Sequence, residues 1–161
     1  MNIAIRPFAT GDMEEVIRLA LLAWAPVFRS FEQVLGRIIY SMIYPDWSRQ
    51  QAAGVEKVCQ DEKTIVWVAE VAGILTGFIA YTVNSEDRVG EVELLAVHPD
   101  YQNHGIGTTL NNFVLEQMKE SGMKMAVVST GGDPGHAPAR RSYEKAGYTA
   151  LPLVRYYKNL G

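Results

Sequence analysis

The segment Gln102–Thr108 has the residue types and the spacing of an anion-binding loop. It reads Gln-Asn-His-Gly-Ile-Gly-Thr, follows a strand-like run and opens an amphipathic helical pattern. Its two glycines let the backbone approach a ligand closely, and the first amides of a helix point outward with the positive end of the helix dipole behind them. The pattern favours a phosphate cradle. The alternative is a glycine turn that serves only to begin a helix.

Single positions in and just after this segment exclude two common nucleotide-binding loops. A dinucleotide-binding fingerprint would need a third glycine where Leu110 stands. A nucleotide P-loop would need Lys and then Ser or Thr after its last glycine, whereas this chain reads Gly107-Thr108-Thr109. Neither loop is therefore expected here.

Two carboxylates in the preceding strand-like run are candidates for acid–base chemistry. In a strand from Val89 to Val97 alternate residues share one face, which places Glu91, Glu93, Leu95 and Val97 together. Glu91 and Glu93 would then lie roughly 7 Å apart at about 3.3 Å per residue. Neighbouring carboxylates raise each other's pKa toward that of a useful base. The alternative is a solvated outer face of the sheet.

The composition indicates one ordinary domain over residues 1–161. Fifteen Lys and Arg stand against 18 Asp and Glu, for a net charge of −3, and 48% of the chain is hydrophobic, which suffices for a core. Without a basic stripe, nucleic acid is not expected as the main partner. Cys59 is the only cysteine, and His98 and His104 lack a third ligand at metal spacing, so no metal is expected.

The chain also lacks the sequence signals of membrane insertion and export. No apolar run approaches the roughly 18 residues that cross a bilayer. The first residues, Met1 to Pro7, do not have the basic-then-apolar order of a signal peptide. We therefore expect no membrane association and a cytoplasmic location, where a single cysteine stays reduced.

Hydrophobic periodicity predicts the elements that must position these residues. The predicted strands are Asn2–Arg6, Thr64–Val71, Ile74–Val83, Val89–Val97, Met125–Ser129 and Leu151–Lys158. The predicted helices run from Thr10 to an end or kink at Pro26, then over Phe31–Ile43, Trp47–Gln60, from the glycine loop to Ser121, and over Ala137–Ala146. A hairpin turn is expected at Ala72-Gly73. The predicted class is mixed α/β, with a largely antiparallel sheet flanked by helices.

Two motifs resemble signatures of the GNAT superfamily of N-acetyltransferases. The run Glu91-Val92-Glu93-Leu94-Leu95-Ala96-Val97-His98-Pro99-Asp100-Tyr101-Gln102-Asn103-His104-Gly105-Ile106-Gly107 resembles its acetyl-CoA motif, a strand followed by Gln/Arg-x-x-Gly-x-Gly/Ala. Tyr143-Glu144-Lys145-Ala146-Gly147-Tyr148 is similar to its second signature, Tyr-Glu-Lys-x-Gly-Phe. The start Ile5-Arg6-Pro7, followed by an acidic helix start, also fits. These segments span most of the chain in the family's order.

The resemblance implies a site for acetyl-CoA. In the family the fourth strand splays from its neighbour and pairs with the pantetheine arm, while amides of the loop bind the pyrophosphate. The positions that match are Leu95, Ala96, Val97, Gln102, Asn103, His104, Gly105, Ile106, Gly107 and Thr108. The family commonly has Asn where this chain has His136, and an imidazole can also hydrogen-bond a pantetheine amide.

The resemblance also suggests catalytic groups. Tyr143 maps near the cofactor sulfur, where a phenol could protonate the leaving thiolate or hydrogen-bond it. The alternative for Tyr143 is an aromatic ring that packs the last helix. The family's frequent general-base Glu maps near Glu91 and Glu93.

We therefore expect an N-acetyltransferase that moves acetyl from acetyl-CoA to a primary amine, of a small molecule or a peptide, by direct attack in a ternary complex. Two alternatives stay open: transfer of a longer acyl group, and a module that binds acetyl-CoA without chemistry, as a sensor or an interaction domain. The oligomeric state is also open, and a homodimer is the commonest assembly.

Overall fold

One five-stranded sheet organises the protein, for which a computed structural model describes residues 1–161. The strands are β1 (Ile3–Pro7), β2 (Ile65–Val71), β3 (Ile74–Asn84), β4 (Val89–Val97) and β5 (Met125–Val128), and they lie side by side in chain order. The pairs from β1 to β4 are antiparallel, whereas β4 and β5 are parallel. The predicted mixed α/β class is confirmed.

The protein has five helices, three of which cover the two faces of the sheet. They are α1 (Met13–Leu35), α2 (Arg37–Ile43), α3 (Trp47–Gln60), α4 (Ile106–Glu120) and α5 (Ala137–Lys145). Helices α1 and α3 pack on the first face around Phe78, and α4 packs on the second face around Ile79. Successive residues of β3 thus enter different cores, which explains why its sequence is a continuous apolar run rather than an alternating one.

The hairpin between β2 and β3 forms as predicted. Ala72 and Gly73 have φ values of 52° and 78°, the left-handed pair that a tight two-residue turn requires.

Of the two alternatives predicted at Pro26, an end or a kink of the first helix, the end is wrong, and so is the start of a second helix at Phe31. Helix α1 continues through Pro26 to Leu35. Val27 and Phe28 are buried just after the proline, and their packing compensates for the helical hydrogen bond that proline cannot donate. The break comes at Gly36, whose φ of 78° separates α1 from α2.

The predicted last strand, Leu151–Lys158, is also wrong. Residues 148–161 have no regular secondary structure, and no strand pairs with β5 on its outer side. Apolar side chains of this segment are exposed, among them Leu153 at 80% and Tyr156 at 90%. Pro152 is the contrary signal in the sequence, since proline cannot donate to a strand ladder.

A bulge in β4 changes which residues share a face. Tyr81 pairs with Val92 and Ala80 pairs with Leu94, so Glu93 is an extra residue in β4. Leu94 therefore packs toward the first face, whereas Leu95 and Val97 pack toward the second.

The expectation that one face of β4 carries Glu91, Glu93, Leu95 and Val97 is therefore wrong. Glu91 pairs with Thr82, whose side chain donates a hydrogen bond to Glu93 Oε1 at 3.3 Å. The two carboxylates thus lie together on the first face, opposite Leu95 and Val97.

An ion-pair network ties β1 to the beginning of α1. The Arg6 guanidinium donates to Asp12 at 2.8 Å and to Glu70 at 3.0 Å. Asp12 also accepts a hydrogen bond from the Ala9 amide at 2.8 Å. The hydrogen bond from Arg6 is the main reason that the pKa of Asp12 is lowered.

Candidate active site

A cleft of about 570 Å³ opens where β4 and β5 part. Its walls are the middle of α1, the end of β4, the beginning of α4 and one side of α5. The predicted site residues that line it are Leu95, Ala96, Val97, Gln102, Asn103, Gly105, Ile106, Gly107, Thr108, His136 and Tyr143. His104, Glu91 and Glu93 are not among the lining residues.

The end of β4 presents unpaired backbone to this cleft. Strand β5 pairs with β4 only as far as Val92, so the β4 backbone beyond the bulge has no strand neighbour on that side. The Gln102 side chain donates to the Val97 carbonyl oxygen at 3.0 Å. Gln102 therefore fixes the loop against the strand end, and the open edge of β4 remains able to pair with an extended ligand.

The beginning of α4 leaves its first backbone amides without partners. Asn103 and Gly105 have φ values of 63° and 82°, which turn the loop backbone into the helix. The first intrahelical bond runs from the Thr109 amide to the Gly105 carbonyl at 2.9 Å, and no side chain caps the helix. The amides of residues 106–108 consequently keep free N–H groups at the positive end of the helix dipole.

The charges around the cleft suit an anionic ligand. Arg141 and Lys145 of α5 line it, and no Asp or Glu does. His104 is held outside the lining, with its Nδ1 at 2.8 Å from the Gln102 carbonyl oxygen.

Tyr143 contributes a protonated phenol to the cleft. Burial, with a smaller contribution from the nearby Tyr148, raises the pKa of Tyr143 to about 12. The two rings lie 5.8 Å apart, and the Tyr143 hydroxyl makes no hydrogen bond within the protein. The group can therefore act as a hydrogen-bond or proton donor throughout the neutral range.

A largely covered Asp–His pair lies immediately before α5. His136 Nδ1 is hydrogen-bonded to Asp133 Oδ1, and the side chains are 16% and 9% exposed. Ser30 Oγ donates to Asp133 Oδ2 at 2.7 Å. Burial alone would raise the pKa of Asp133, but the hydrogen bonds from Ser30 and His136 outweigh it, so this pKa is lowered.

Sequence reasoning missed Asp133, Ser30 and the role of Arg140. The Arg140 guanidinium donates to the carbonyl oxygens of Gly131 and Asp133, both at 2.7 Å, and so holds the loop that carries the pair. The signal that could have indicated the pair is the spacing Asp133-x-x-His136, which follows two glycines and stands immediately before a helix.

No helix of the structure combines the length and the apolar character needed to cross a membrane. Nowhere do three or more His, Cys, Asp or Glu side chains come together as a possible metal-ligand group.

Comparison with known proteins gives one family. The family model described as "Acetyltransferase (GNAT) family" matches residues 24–148. A mycothiol acetyltransferase of Streptomyces coelicolor is 30% identical over 116 residues, which make up 68% of this chain and 37% of that protein. An uncharacterized N-acetyltransferase of Methanocaldococcus jannaschii is 26% identical over 156 residues, or 94% of this chain and 62% of that protein. The chain thus spans about a third of the length of the mycothiol acetyltransferases it matches.

Solved structures share the fold over nearly the whole chain. The aminoglycoside N-acetyltransferase AAC(6')-Iy, in complex with a bisubstrate analogue, has a TM-score of 0.67 at 17% identity and covers 99% of both chains. The PaiA N-acetyltransferase of Thermoplasma acidophilum, in complex with coenzyme A, has a TM-score of 0.68 at 21% identity and covers 94% of this chain and 92% of that one.

Proposed function

The chain belongs to the GNAT acetyltransferase family, and from that premise we propose that it transfers acetyl from acetyl-CoA to a primary amine by direct attack in a ternary complex. The observation that carries this proposal is the meeting of three features in one cleft. These are the uncapped amides of residues 106–108, the unpaired end of β4, and the hydroxyl of Tyr143.

The proposed placement of the co-substrate follows from the hydrogen-bonding groups that are free. The amides of residues 106–108 would hold the pyrophosphate, since a helix N-terminus without a cap favours negative charge. The β4 backbone from Leu95 to Val97 would pair with the amides of the pantetheine arm in the manner of an added strand. Arg141 and Lys145 would face the phosphates.

The proposed chemistry needs a neutral amine and a protonated leaving group. The amine nitrogen forms the new C–N bond, the C–S bond breaks, and the departing thiolate receives a proton from the Tyr143 hydroxyl. A backbone amide near Val97 would donate to the acetyl oxygen while it carries negative charge.

In this proposal Glu91 and Glu93 act as acidic groups that attract the acceptor. Both are exposed, and they lie on the first face of the sheet. Such a pair attracts a cationic acceptor. A screen in which only neutral or anionic amines react would defeat this element of the proposal.

The test is amine-dependent release of free CoA by the purified protein. It uses acetyl-CoA with a panel of cationic, neutral and anionic amines, and the product is identified by its mass. A gain of one acetyl group by an amine supports the proposal. Faster turnover with a longer acyl-CoA would identify a different acyl donor. Binding of acetyl-CoA without release in the presence of any amine would indicate the sensor alternative.

We also propose that the chain forms a homodimer, supported by the exposed apolar side chains of residues 151–160. Light scattering should give twice the monomer mass, and a variant with Leu153 and Tyr156 replaced by Ser should shift toward monomer. A monomer at every protein concentration would refute the proposal.

A further inference from the structure

The Asp133–His136 pair has the arrangement of a group prepared to accept a proton. A carboxylate only accepts hydrogen bonds, so the ring nitrogen that faces Asp133, Nδ1, must carry the hydrogen. In the neutral imidazole the other nitrogen, Nε2, then has a lone pair. Nε2 makes no hydrogen bond within the protein, and His136 is one of the residues that line the cleft.

The surrounding loop holds this pair closely. A Cβ at Gly131 would overlap both the Asp133 carboxylate and His136 Nδ1, and a Cβ at Gly135 would lie 2.6 Å from the Ser30 Cβ. Ser30 Oγ and the Gly135 amide both donate to Asp133 Oδ2, at 2.7 Å and 3.1 Å. Asp133 thus has one oxygen committed to the loop and α1, and the other to the imidazole.

The imidazole also lies beside an aromatic ring, which is tilted by 41° to it. The ring of Phe31 in α1 lies 5.4 Å from the ring of His136. A histidine that had neither a carboxylate partner nor a neighbouring aromatic ring would be free to turn, whereas this side chain is oriented before any ligand binds.

We propose that His136 Nε2 takes the proton of the acceptor amine, and that Asp133 is a positioning residue that keeps the proton on Nδ1. The proposal rests on the proposed function, and it names the group that the transfer reaction still requires. It assigns to His136 more than a contact with the pantetheine arm.

The proton balance of this step is complete. An ammonium substrate loses two protons from nitrogen on its way to the amide. Nε2 takes the first proton before attack and passes it to solvent. The second leaves as the C–N bond forms, and it reprotonates the phenolate that remains after Tyr143 has given its proton to the thiolate. One proton in total is released for each acetyl transferred.

The alternative acceptors are placed less well for direct transfer. Glu91 and Glu93 are exposed and do not line the cleft. His136 is the imidazole among the residues that line the cleft, and it is the side-chain type that most often serves as a general base.

The first test separates proton transfer from binding. His136→Gln should lower kcat by about 100-fold or more, while the Kd for acetyl-CoA, measured by calorimetry, changes by less than about threefold. Added imidazole should restore part of the activity of His136→Ala. The matched control is His98→Gln, an imidazole outside the cleft lining, which should keep its activity.

The second test reads the tautomer directly and needs no activity. In ¹⁵N-edited spectra the wild-type His136 should be the Nδ1–H tautomer. In Asp133→Asn the amide can donate to Nδ1 while its oxygen still accepts from Ser30, so the ring should become the Nε2–H tautomer and kcat should fall with an unchanged unfolding temperature.

The outcomes separate this inference from the proposed function. If the wild-type protein transfers acetyl and His136→Gln is as active, the inference is refuted and the function stands. A wild-type Nε2–H tautomer also refutes it. If His136→Gln loses acetyl-CoA affinity in proportion to activity, His136 is a binding residue only. If the wild-type protein transfers acetyl to no amine, both proposals fall.

Discussion

Replacing Gly107 isolates the contribution of one amide at the beginning of α4. Gly107 is the second residue of the helix, and its N–H has no partner within the protein. A Cβ there would lie 3.7 Å from Val97 Cγ2 and 4.0 Å from Ser142 Oγ, which is ordinary contact. Gly107→Ala therefore adds a methyl group and keeps the donor. Gly107→Pro adds a ring and removes the donor, at a position where the helix loses no bond of its own.

The expected difference follows from the type of hydrogen bond removed. A hydrogen bond from an amide to a charged phosphate contributes about 1.5–3 kcal/mol. This corresponds to a Kd for acetyl-CoA that is roughly 10- to 150-fold weaker in Gly107→Pro. Gly107→Ala should stay within about threefold of the wild type, because its N–H is retained.

Calorimetric titration of both variants with acetyl-CoA measures this difference. The comparison ligand is S-acetylpantetheine, which lacks the pyrophosphate, so its kcat/KM should be similar in the two variants. Because proline restricts the residue before it, Ile106, the unfolding temperature of each variant is measured and titrations are made well below it. Equal acetyl-CoA affinities, or an equal loss with S-acetylpantetheine, would refute the assignment of this amide to the pyrophosphate.

Three further predictions follow from individual side chains. Tyr143→Phe should lower kcat at least tenfold with little change in the Kd for acetyl-CoA, and an unchanged kcat would remove Tyr143 as the acid. Because burial raises the pKa of Tyr143 to about 12, ionisation of its hydroxyl should not limit the wild-type rate below about pH 11. Burial raises the pKa of Cys59 from 9.0 to about 11. The thiolate fraction of Cys59 at neutral pH, and therefore its rate of labelling by a thiol reagent, should be about 100-fold below that of an unburied cysteine. Labelling at the rate of a free cysteine would show that this part of α3 opens readily. The pKa of Asp12 is lowered, so its ion pair with Arg6 stabilises the fold above the unfolded-state pKa of about 4, and this stabilisation is lost as the pH falls through the lower folded-state pKa. The free energy of unfolding of Asp12→Asn should therefore depend less on pH in this acid range. Parallel curves for the wild type and the variant would contradict this prediction.

Local patterns in the sequence were sufficient for most of the elements. Helix α3 has the bounds that the spacing of its apolar residues predicts, Trp47–Gln60, and the Ala72-Gly73 turn has the φ values that such a dipeptide allows. These features depend on contacts near in sequence. Pro26 was misread because the burial of Val27 and Phe28, which sustains α1, depends on the sheet that the helix covers.

The parts of the candidate site that the sequence did not predict depend on long-range pairing. The bulge at Glu93 places the two carboxylates opposite Leu95, and strict alternation within β4 gives no sign of it. Ser30 meets Asp133 across 103 positions of the chain, a contact that only the docking of α1 against the loop creates. The conformation of the loop at the beginning of α4 was predictable because it depends on local features, namely the glycine spacing and the helix start.

The most direct test of the proposed acetyl-CoA site is thermal unfolding of the protein with saturating acetyl-CoA, with CoA, and with NAD as a control. A ligand at about 100 times its Kd stabilises the fold by roughly 2.7 kcal/mol, which for a domain of this size raises the unfolding temperature by roughly 5–10 °C. We predict this shift with acetyl-CoA and with CoA, and none with NAD. The absence of a shift with acetyl-CoA and CoA would mean that residues 102–108 only begin a helix, and it would contradict the proposed acetyl transfer.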